Sequence, residues 1–587
     1  MLTAKDYIIR DKVGYKTVLE MVENSCKKFS KKIVMQIKVD GIYQKYTYQD
    51  LWNNLNNIAS ALIKIGFQHG EKAAVYSENR PEWGMAYLGI SKAGGVIIPL
   101  DVQLSIAELE YILNHSETKV VFTSTKYLDN ITEIFDSVKN LTKIICFDHI
   151  DEEQNTISLN KFLKIGEESN IHIHHKTEPD DVIAILYTSG TTGIAKGVML
   201  TQKNIISDVE LSSQMIYFDE NDNFLSVLPI HHSFECTCGF ITPLYNGASI
   251  TYAESLKSKN LIDNIKETKV TVMLGVPLLF EKFYYGIMKG IKEKPLPIQL
   301  LFKSSMGIVN ITKKLINKKI GRTVFEDLRK KAGLSSVRVF VSGGGPLRAD
   351  IAEAFDNLGL TILQGYGLTE TSPVVAVSTL EYINYYSVGL PLPEIEIKID
   401  KPTEQGIGEI LVKGPVVMKG YYKNTEETDE ILRDGWLYTG DLGYKDKIGF
   451  LYITGRKKNV IVTQGGKNVY PEELEFKINS SDFILESMVY GMPVSEKDRG
   501  EKIYAIIVPD YETINMHSKT INKELATEEQ IEALISNEVK KINSTLPAYK
   551  QISGFKIYPE ELIKTSTKKV KRYLYLEKLI PVSSRKK

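Results

Sequence analysis

The sequence predicts an α/β protein with a large N-terminal domain, a small β-rich subdomain and a small C-terminal α/β domain. Its 587 residues exceed the length that one hydrophobic core usually supports, so we expect at least two domains. In the first half, apolar runs rich in β-branched residues alternate with amphipathic stretches, a pattern typical of sheets covered by helices. From about residue 394, short alternating strands separated by Gly and Pro turns replace this pattern.

The first half contains strands and helices in alternation. The predicted strands are KAAVYS (72–77), GVIIPL (95–100), KVVFT (119–123), VIAILYT (182–188) and VRVFVSG (337–343). The clearest helix covers residues 48–66, where Leu51, Leu55, Ile58, Leu62 and Ile65 recur at helical spacing and Gly66 marks the exit.

The β-rich subdomain is predicted from the runs EIEIKID (394–400), GEILVKG (408–414) and GFLYITG (449–455). A charged stretch then leads into the C-terminal domain. Pro471, with Glu472, Glu473 and Glu475 after it, is typical of a helix start, so we assign those acids no catalytic role.

Composition excludes several classes of protein. Lys+Arg and Asp+Glu each number 73, so no overall field favours nucleic acid. Four cysteines cannot form a disulfide scaffold and match no zinc pattern, which favours a reducing cytoplasm. We expect no secretory signal, because the N-terminus lacks an apolar core segment. The most apolar window, residues 83–100, is broken by Lys92 and four glycines, so any membrane contact should be peripheral, at the inner face.

The run YTSGTTGIAKGV, residues 187–198, is a candidate phosphate-binding loop. It follows the strand VIAILYT, where a Gly-rich turn can direct backbone N–H groups toward a phosphate. Its spacing is not that of a Walker A loop, because two residues separate the first glycines and a glycine follows the lysine. The candidate nucleotide-binding residues are Thr188, Ser189, Gly190, Thr191, Thr192, Gly193 and Lys196.

This run resembles the loop of the adenylate-forming (AMP-binding) enzymes, the superfamily of acyl-CoA synthetases, peptide-synthetase adenylation domains and luciferases. Five further runs resemble motifs of that superfamily, in its order: LPIHHSFE (228–235), SGGGPL (342–347), GYGLTETSP (365–373), GWLYTGDLG (435–443) and TGRKKNVIVTQGGKNVYPEELE (454–475). The resemblance covers nearly the whole chain. It implies a domain of stacked α/β sheet subdomains plus the β-rich subdomain, residues 1–457, and a mobile domain, residues 458–587.

The resemblance implies how ATP is bound. Glu370 would hold Mg²⁺ and Thr369 would contact phosphate, whereas a helix-capping role is the alternative for Glu370. Asp441 would accept the ribose hydroxyls, and Arg456 would support ribose and phosphate. Either charge could instead belong to a loop ion pair. Backbone near the adenine would come from Gly343, Gly344, Gly345, Gly365 and Gly367, with Tyr366 beside the base.

The histidine motif is expected near the substrate carboxylate. By resemblance His232 takes that place and Phe234 shapes the acyl pocket, whereas His231 is predicted to serve packing. Cys236 and Cys238 lie close in sequence, but their spacing does not suit zinc. The run NIHIHH, with His172, His174 and His175, is expected to be a solvated surface segment, and a metal site is the alternative.

The run LIKTSTKKVKR, residues 562–572, resembles the motif that carries the catalytic lysine. In that register Lys569 would bridge the carboxylate and the α-phosphate region. Ile563 and Lys568 depart from the usual proline and glycine, which leaves open whether Lys568 shares this role. Lys458 would be the hinge residue, and Gly465 and Gly466 would lie on the path of the CoA pantetheine.

These residues imply an ATP- and Mg²⁺-dependent long-chain fatty acid CoA ligase, with fatty acid, ATP and CoA as substrates. The run MLGVPLLFEKFYYGI (273–287), Glu235 and the helical insert near residues 300–332 resemble the long-chain branch. Three alternatives stay open: transfer to a carrier-protein pantetheine, a CoA ligase for an aryl or medium-chain acid, and a non-catalytic nucleotide- or lipid-binding protein. Chain-length preference and oligomeric state are not predicted.

Overall fold

The computed structural model describes residues 2, 4–151, 153, 155–169, 171, 173, 176–189, 195–316, 320–494, 500–522, 525–565 and 569–579. Within this part the chain forms several sheets covered by helices, which confirms the predicted α/β class.

The helices are α1 (Ala4–Tyr7), α2 (Val18–Lys28), α3 (Tyr48–Lys64), α4 (Pro81–Lys92), α5 (Ile106–Ser116), α6 (Thr125–Glu133), α7 (Leu159–Glu168), α8 (Gln202–Met215), α9 (Thr242–Asn246), α10 (Ser258–Thr268), α11 (Pro277–Lys292), α12 (Leu296–Ile316), α13 (Gly321–Val324), α14 (Glu326–Ala332), α15 (Ala349–Asn357), α16 (Thr425–Ile431), α17 (Pro471–Ile478), α18 (Tyr511–Asn522), α19 (Glu528–Ser544) and α20 (Tyr573–Leu579). Short 3-10 turns cover Phe135–Ser137, Thr369–Thr371, Lys457–Asn459 and Ala548–Lys550, and a π-helix covers Phe234–Ile241.

The strands are β1 (Ile33–Val39), β2 (Ile42–Thr47), β3 (Lys72–Tyr76), β4 (Val96–Pro99), β5 (Thr118–Thr123), β6 (Lys143–Cys146), β7 (Thr156–Ser158), β8 (Val182–Ser189), β9 (Ala195–Thr201), β10 (Asn223–Ser226), β11 (Ser249–Tyr252), β12 (Val272–Gly275), β13 (Val339–Ser342), β14 (Thr361–Gly367), β15 (Val374–Val377), β16 (Leu390–Pro391), β17 (Glu396–Asp400), β18 (Gly408–Lys413), β19 (Gly420–Tyr421), β20 (Leu432–Arg433), β21 (Trp436–Lys445), β22 (Leu451–Arg456), β23 (Ile461–Val462), β24 (Asn468–Val469), β25 (Ile484–Pro493), β26 (Glu501–Pro509) and β27 (Gly554–Ile557). Each of the five strands predicted in the first half is present.

The chain divides into two compact units. One comprises Met1–Ile397, Val412–Leu437 and Asp446–Leu451, and the other comprises Lys398–Leu411, Tyr438–Lys445 and Tyr452–Lys587. The predicted boundary between an N-terminal domain, residues 1–457, and a mobile domain, residues 458–587, is a hinge position. It stays a prediction.

The first unit contains two large sheets. One has nine strands in the order β16-β15-β14-β13-β12-β10-β11-β1-β2, and the other has eight in the order β19-β9-β8-β4-β3-β5-β6-β7. Neighbours β12, β13 and β14 are parallel, so the loops that leave their carboxyl ends share one edge of the sheet. This places the SGGGPL and GYGLTETSP segments side by side, as binding loops are in parallel sheets.

Helix α3 illustrates how local sequence defines these elements. The Thr47 hydroxyl accepts a hydrogen bond from the Asp50 backbone N–H, and the Asp50 carboxylate accepts one from the Thr47 N–H, which forms a capping box. The helix ends before Gly66, whose φ of +87° favours glycine. Four of its predicted apolar positions are fully buried in the core of the first unit: Leu51, Leu55, Ile58 and Leu62. The prediction is wrong for the fifth, Ile65, because it follows the last helical turn and is 37% exposed.

The second unit has its own core around a three-stranded sheet in the order β25-β26-β27. Helix α17 begins at Pro471, as predicted. Glu473 pairs with Lys550 at 2.7 Å, and Glu475 pairs with Arg572 at 2.5 Å. These acids therefore hold the second unit together. The other sheets are a five-stranded one, β17-β18-β21-β20 with β22 on β21, and the ribbon β23-β24.

The helices of the described residues are short or polar compared with a membrane-spanning segment. None of their helices combines the length and the apolar composition that crossing a bilayer requires.

Candidate active site

The candidate phosphate loop joins two antiparallel strands. In the register of β8 and β9, Thr188 lies opposite Lys196. The Lys196 Nζ pairs with Glu427 Oε1 at 2.5 Å and lies 5.5 Å from the centre of the Tyr421 ring. The predicted phosphate-binding cation is thus held by an acid and an aromatic face. Outside the described residues lie Gly190, Thr191, Thr192 and Gly193, together with the side chain of Ser189.

Glu370 lies in the 3-10 turn that follows β14. Its Oε1 accepts a hydrogen bond from the Tyr421 hydroxyl at 2.9 Å, and its carbonyl accepts one from the Met418 N–H at 2.9 Å. Tyr421 belongs to β19, which pairs with β9 so that Tyr421 lies opposite Val198. One tyrosine therefore contacts both the candidate phosphate cation and the candidate metal ligand.

The turn that carries Thr369 and Glu370 requires a glycine before it. A Cβ at Gly367 would lie 1.8 Å from the Pro373 carbonyl oxygen, so no side chain fits there. The Leu368 N–H donates to that same carbonyl at 3.0 Å. The chain thus folds back tightly on itself, and Gly365 and Tyr366 lie on the preceding strand.

The glycines of SGGGPL leave β13 beside the histidine motif. A Cβ at Gly343 would lie 3.0 Å from the Phe234 ring, and the Gly343 N–H donates to Gly275 at 3.1 Å. Gly344 and Gly345 are exposed, so their backbone is open to a flat ligand. The predicted acyl-pocket aromatic and the predicted adenine-binding backbone are therefore neighbours.

His231 and His232 lie next to each other and close to the carboxylate of Asp101. Their ring centres are 4.2 Å apart, and His231 Nε2 lies 3.6 Å from Asp101 Oδ2. The nitrogen and carboxylate atoms of Asp101, His231 and His232 lie within 4.8 Å of one another. His231 is buried, as its predicted packing role requires, and also contacts Asp101.

Three titratable groups follow the histidines on the π-helix. Glu235 is fully buried, and burial raises its pKa to about 8, partly offset by the nearby Ser226 hydroxyl. Burial also raises the pKa of Cys236 to about 12 and that of Cys238 well above its ordinary value. Neutral thiols of this kind are poor nucleophiles, and the expectation that these cysteines hold no zinc stays a prediction. His172, His174 and His175 lie outside the described residues.

In the second unit, Asp441 and Arg456 form an ion pair. Arg456 Nε donates to Asp441 Oδ1 at 2.8 Å, with the aspartate buried and the arginine half exposed. The Asp441 N–H donates to the Thr439 hydroxyl at 3.1 Å. The alternative prediction for these two residues is a loop ion pair, and that ion pair is present. Asp441 and Arg456, the two predicted ribose-binding residues, form it with each other.

Lys458, Gly465 and Gly466 lie on irregular segments of the second unit. Lys458 is in the 3-10 turn after β22, and the two glycines form the tip between β23 and β24. A Cβ at either glycine would meet no atom within 4 Å. The tip is therefore open enough for a narrow chain to pass.

Lys569 lies on a short hairpin of the second unit. The Thr565 N–H donates to the Lys569 carbonyl at 2.8 Å, and the Lys569 N–H donates to the Thr565 hydroxyl at 3.2 Å. Lys564 is anchored by Glu486 at 2.9 Å. Lys569 is exposed on this anchored hairpin, while Lys568 lies outside the described residues.

Comparison with known proteins identifies the family. A family model described as AMP-binding enzyme matches residues 22–422. The chain belongs to the AMP-binding enzyme family.

The relatives of this AMP-binding enzyme match it over most of its length. It is 30% identical over 582 residues to the long-chain-fatty-acid–CoA ligase FadD15 of Mycobacterium bovis, with 93% of each chain covered. It is 29% identical to the chloroplastic long-chain-fatty-acid–acyl-carrier-protein ligase AEE15 of Arabidopsis thaliana, covering 90% of this chain and 80% of the relative. The crystal structure of the anthranilate CoA ligase AuaEII with anthranoyl-AMP shares the fold, with a TM-score of 0.77, 21% identity and coverage of 98% and 99%.

The side chains present fit the substrates and the metal of an AMP-binding enzyme, which are ATP, Mg²⁺ and CoA. Glu370 offers a carboxylate oxygen, the donor that Mg²⁺ prefers, and it shares the partner Tyr421 with Lys196. Asp441 offers a second carboxylate in the other unit, suited to hydroxyl donors.

Three residues that sequence reasoning missed contribute to these sites: Tyr421, Glu427 and Asp101. Each contacts a predicted site residue that is far away in the sequence, and none lies inside one of the sequence motifs. The nearest signal for Tyr421 is the Gly-Tyr-Tyr run at residues 420–422, which without the β9 pairing suggests only a short strand.

Replacing Tyr421 with Phe tests the link between Glu370 and Lys196. The change removes the hydroxyl and keeps the ring, so we expect kcat/KM for pyrophosphate release to fall on the order of tenfold, as for a lost hydrogen bond to a charged group. The loss should be larger at low Mg²⁺. Tyr422→Phe is the matched control, because the Tyr422 hydroxyl donates to Glu117 instead. Equal losses in both variants would contradict the assignment.

The pKa of Glu235 predicts a pH-dependent stability. Between its ordinary pKa of 4.5 and its folded value of about 8, the unfolded chain ionises while the native carboxyl stays protonated, so stability falls as pH rises. Glu235→Gln removes this penalty. Its melting temperature relative to the parent should therefore rise between about pH 5 and about pH 8.

The matched control is Glu117→Gln, because Lys423 lowers the pKa of that carboxyl. Scanning calorimetry across the pH range should show no such rise for this variant. A pH-independent difference for Glu235→Gln would refute the buried neutral carboxyl.

Proposed function

We propose that this AMP-binding enzyme is an ATP-dependent long-chain fatty acid CoA ligase. A fatty carboxylate attacks the α-phosphate of ATP to give acyl-AMP and pyrophosphate, and the CoA thiol then displaces AMP. The observation that carries the proposal is the contact of Tyr421 with both Lys196 and Glu370, because it joins a phosphate-binding cation to a candidate metal ligand. The similarity to FadD15 supports the substrate class.

In the first step, Lys196 exchanges Glu427 for phosphate oxygens. The lysine is only partly exposed, so a charge-assisted hydrogen bond there is stronger than in water. Glu370 would hold Mg²⁺, which neutralises phosphate charge when bound. Asp441, held by Arg456, accepts the ribose hydroxyls. Lys569 offsets the charge that develops as the carboxylate attacks.

His232 and Phe234 border the carboxylate site in this proposal. The contact of His231 with Asp101 orients the histidine pair, and Phe234 against Gly343 closes one wall. An aromatic wall beside imidazole groups suits an acid with an apolar chain.

In the second step, Lys458 would act as the hinge that withdraws Lys569 and admits the thiol. Gly465 and Gly466, whose surroundings are open, would line the path of the pantetheine. A carrier-protein pantetheine is the alternative acceptor, supported by the similarity to AEE15. Within the proposal the enzyme works in the cytoplasm, with peripheral contact at the inner membrane face.

A panel of carboxylic acids tests this function. Pyrophosphate release should be greatest with long-chain fatty acids, and CoA should speed turnover because it clears the acyl-AMP. Aryl and medium-chain acids serve as comparison substrates, and acyl carrier protein as the comparison acceptor. Release that depends on carrier protein and ignores CoA would overturn the acceptor, and no release with any acid would overturn the proposal.

Lys569→Ala should separate the two half-reactions. We expect acyl-AMP formation to fall about a hundredfold or more, because the developing charge loses its cation, while thioester formation from supplied acyl-AMP stays near parental levels. Lys568→Ala tests which of the two adjacent lysines is the catalytic one, and it should leave acyl-AMP formation near parental levels. Lys458→Pro is the converse control and should spare adenylation while slowing thioester formation. Equal loss of both steps in Lys569→Ala would contradict its role.

A further inference from the structure

Helix α12 exposes an apolar stripe that no described part of the chain covers. Its inner face packs Phe302 and Val309 against Phe325 and Leu358. The outer stripe occupies an arc of about 100° on the helical wheel. Its members, with their exposed fractions, are Leu300 (62%), Leu301 (67%), Ile308 (58%), Ile311 (58%) and Leu315 (79%).

The stripe is unusual because these side chains are long, apolar and aligned. Single exposed leucines are normal on protein surfaces, but a row at helical spacing indicates a contact surface. Leu296, at the first position of the helix, is also exposed and lies at the edge of the same arc. Helix α12 therefore has two apolar faces. One packs against the core of the protein, and the other is exposed.

Basic residues are frequent in α11, in α12 and in the short connection between them. Residues 277–316 contain seven lysines and two glutamates, a net charge of +5 in a chain that is neutral overall. Lys313 is directed inward and pairs with Asp356 at 2.6 Å. The exposed lysines among the described residues of this segment are Lys282, Lys289, Lys292, Lys294 and Lys303.

We propose that the outer stripe of α12, with these lysines, docks the enzyme on an anionic phospholipid bilayer. The helix lies in the plane of the interface, with the leucines and isoleucines in the acyl boundary and the lysines at the headgroups. The charge complementarity selects this occupant, because apolar residues beside a strong positive excess match an anionic lipid surface. The benefit to turnover rests on the proposed function, since a long-chain fatty acid partitions into bilayers.

The geometry favours a bilayer over a protein partner. The exposed residues form one straight row on a 21-residue helix, about 30 Å long, rather than a concave pocket for anchoring side chains. The helix is too polar to span a membrane, which agrees with an interfacial position.

Vesicle co-sedimentation of the full chain tests the proposal. The parent should pellet with vesicles of phosphatidylcholine and phosphatidylglycerol, and less with phosphatidylcholine alone. Leu301→Gln, Ile308→Gln and Ile311→Gln together should lower the partition coefficient about tenfold or more. Lys289→Gln, Lys292→Gln and Lys303→Gln together should lower it about fivefold per lysine on anionic vesicles, with little effect on neutral ones.

Matched controls carry the same substitutions elsewhere on the first unit. Val13→Gln, Ile42→Gln and Leu256→Gln remove equally exposed apolar groups, and Lys31→Gln, Lys45→Gln and Lys64→Gln remove exposed lysines. These variants should pellet as the parent does. Circular dichroism and melting temperature confirm that each variant folds.

Three outcomes would overturn the docking surface: no vesicle binding by the parent, equal loss in the control variants, or binding lost with the lysines but kept without the stripe. A parent that dimerises without lipid, and a stripe variant that is monomeric, would assign the stripe to a second copy instead. The assay needs no turnover. Vesicle binding without pyrophosphate release from any acid would therefore sink the proposed function and leave the docking surface standing.

Discussion

The short pairing of β19 with β9 is the constraint on which the candidate phosphate site depends. It sets Tyr421 opposite Val198, so that the tyrosine hydroxyl reaches Glu370 while its ring lies under Lys196. The strand is only two residues long, and its position is reinforced by the Tyr421 N–H, which donates to the Thr428 hydroxyl on α16. Without this pairing, strand β9 with Lys196 and the 3-10 turn with Glu370 would lose the side chain that contacts both residues.

Helix α16 extends the same support to the acid that holds Lys196. Asn424 caps the helix by accepting from the Glu427 N–H at 3.1 Å, and its side-chain amide donates to Glu427 Oε2 at 2.8 Å. The other oxygen of Glu427 is then directed to Lys196. A helix cap thus places the carboxylate, and the carboxylate holds the cation in a defined position before any phosphate is present.

How far the sequence predicts this arrangement depends on whether a residue acts within a motif or across the fold. The strands, α3 and the start of α17 follow from periodicity and capping residues close together in the chain. Glu370, Lys196, Asp441 and Arg456 were identified because each lies inside a recognisable run. Their partners Tyr421 and Glu427 could not be, because strand pairing decides which distant residues meet.

The same limit explains two other differences between sequence and structure. The sequence presents His231 as a packing residue, yet the ring also contacts Asp101, which follows β4 more than a hundred residues earlier. The helical insert could line a core or a tunnel by composition alone, and only the structure distinguishes the face of Phe302 from the outer stripe. Hydrophobic spacing defines a helix but not which of two apolar faces meets the protein.

The cations predicted to meet the nucleotide include two that already hold an acid within their own unit: Lys196 with Glu427, and Arg456 with Asp441. This arrangement avoids an uncompensated buried charge in the free protein, which would be strongly destabilising. It also means that phosphate and ribose must displace or share an existing partner, so the net gain on binding is a difference between two ion pairs. Selectivity follows from this difference. A ligand with one weak charge gains little by the exchange, whereas a triphosphate with Mg²⁺ offers several charges that can replace Glu427 at once.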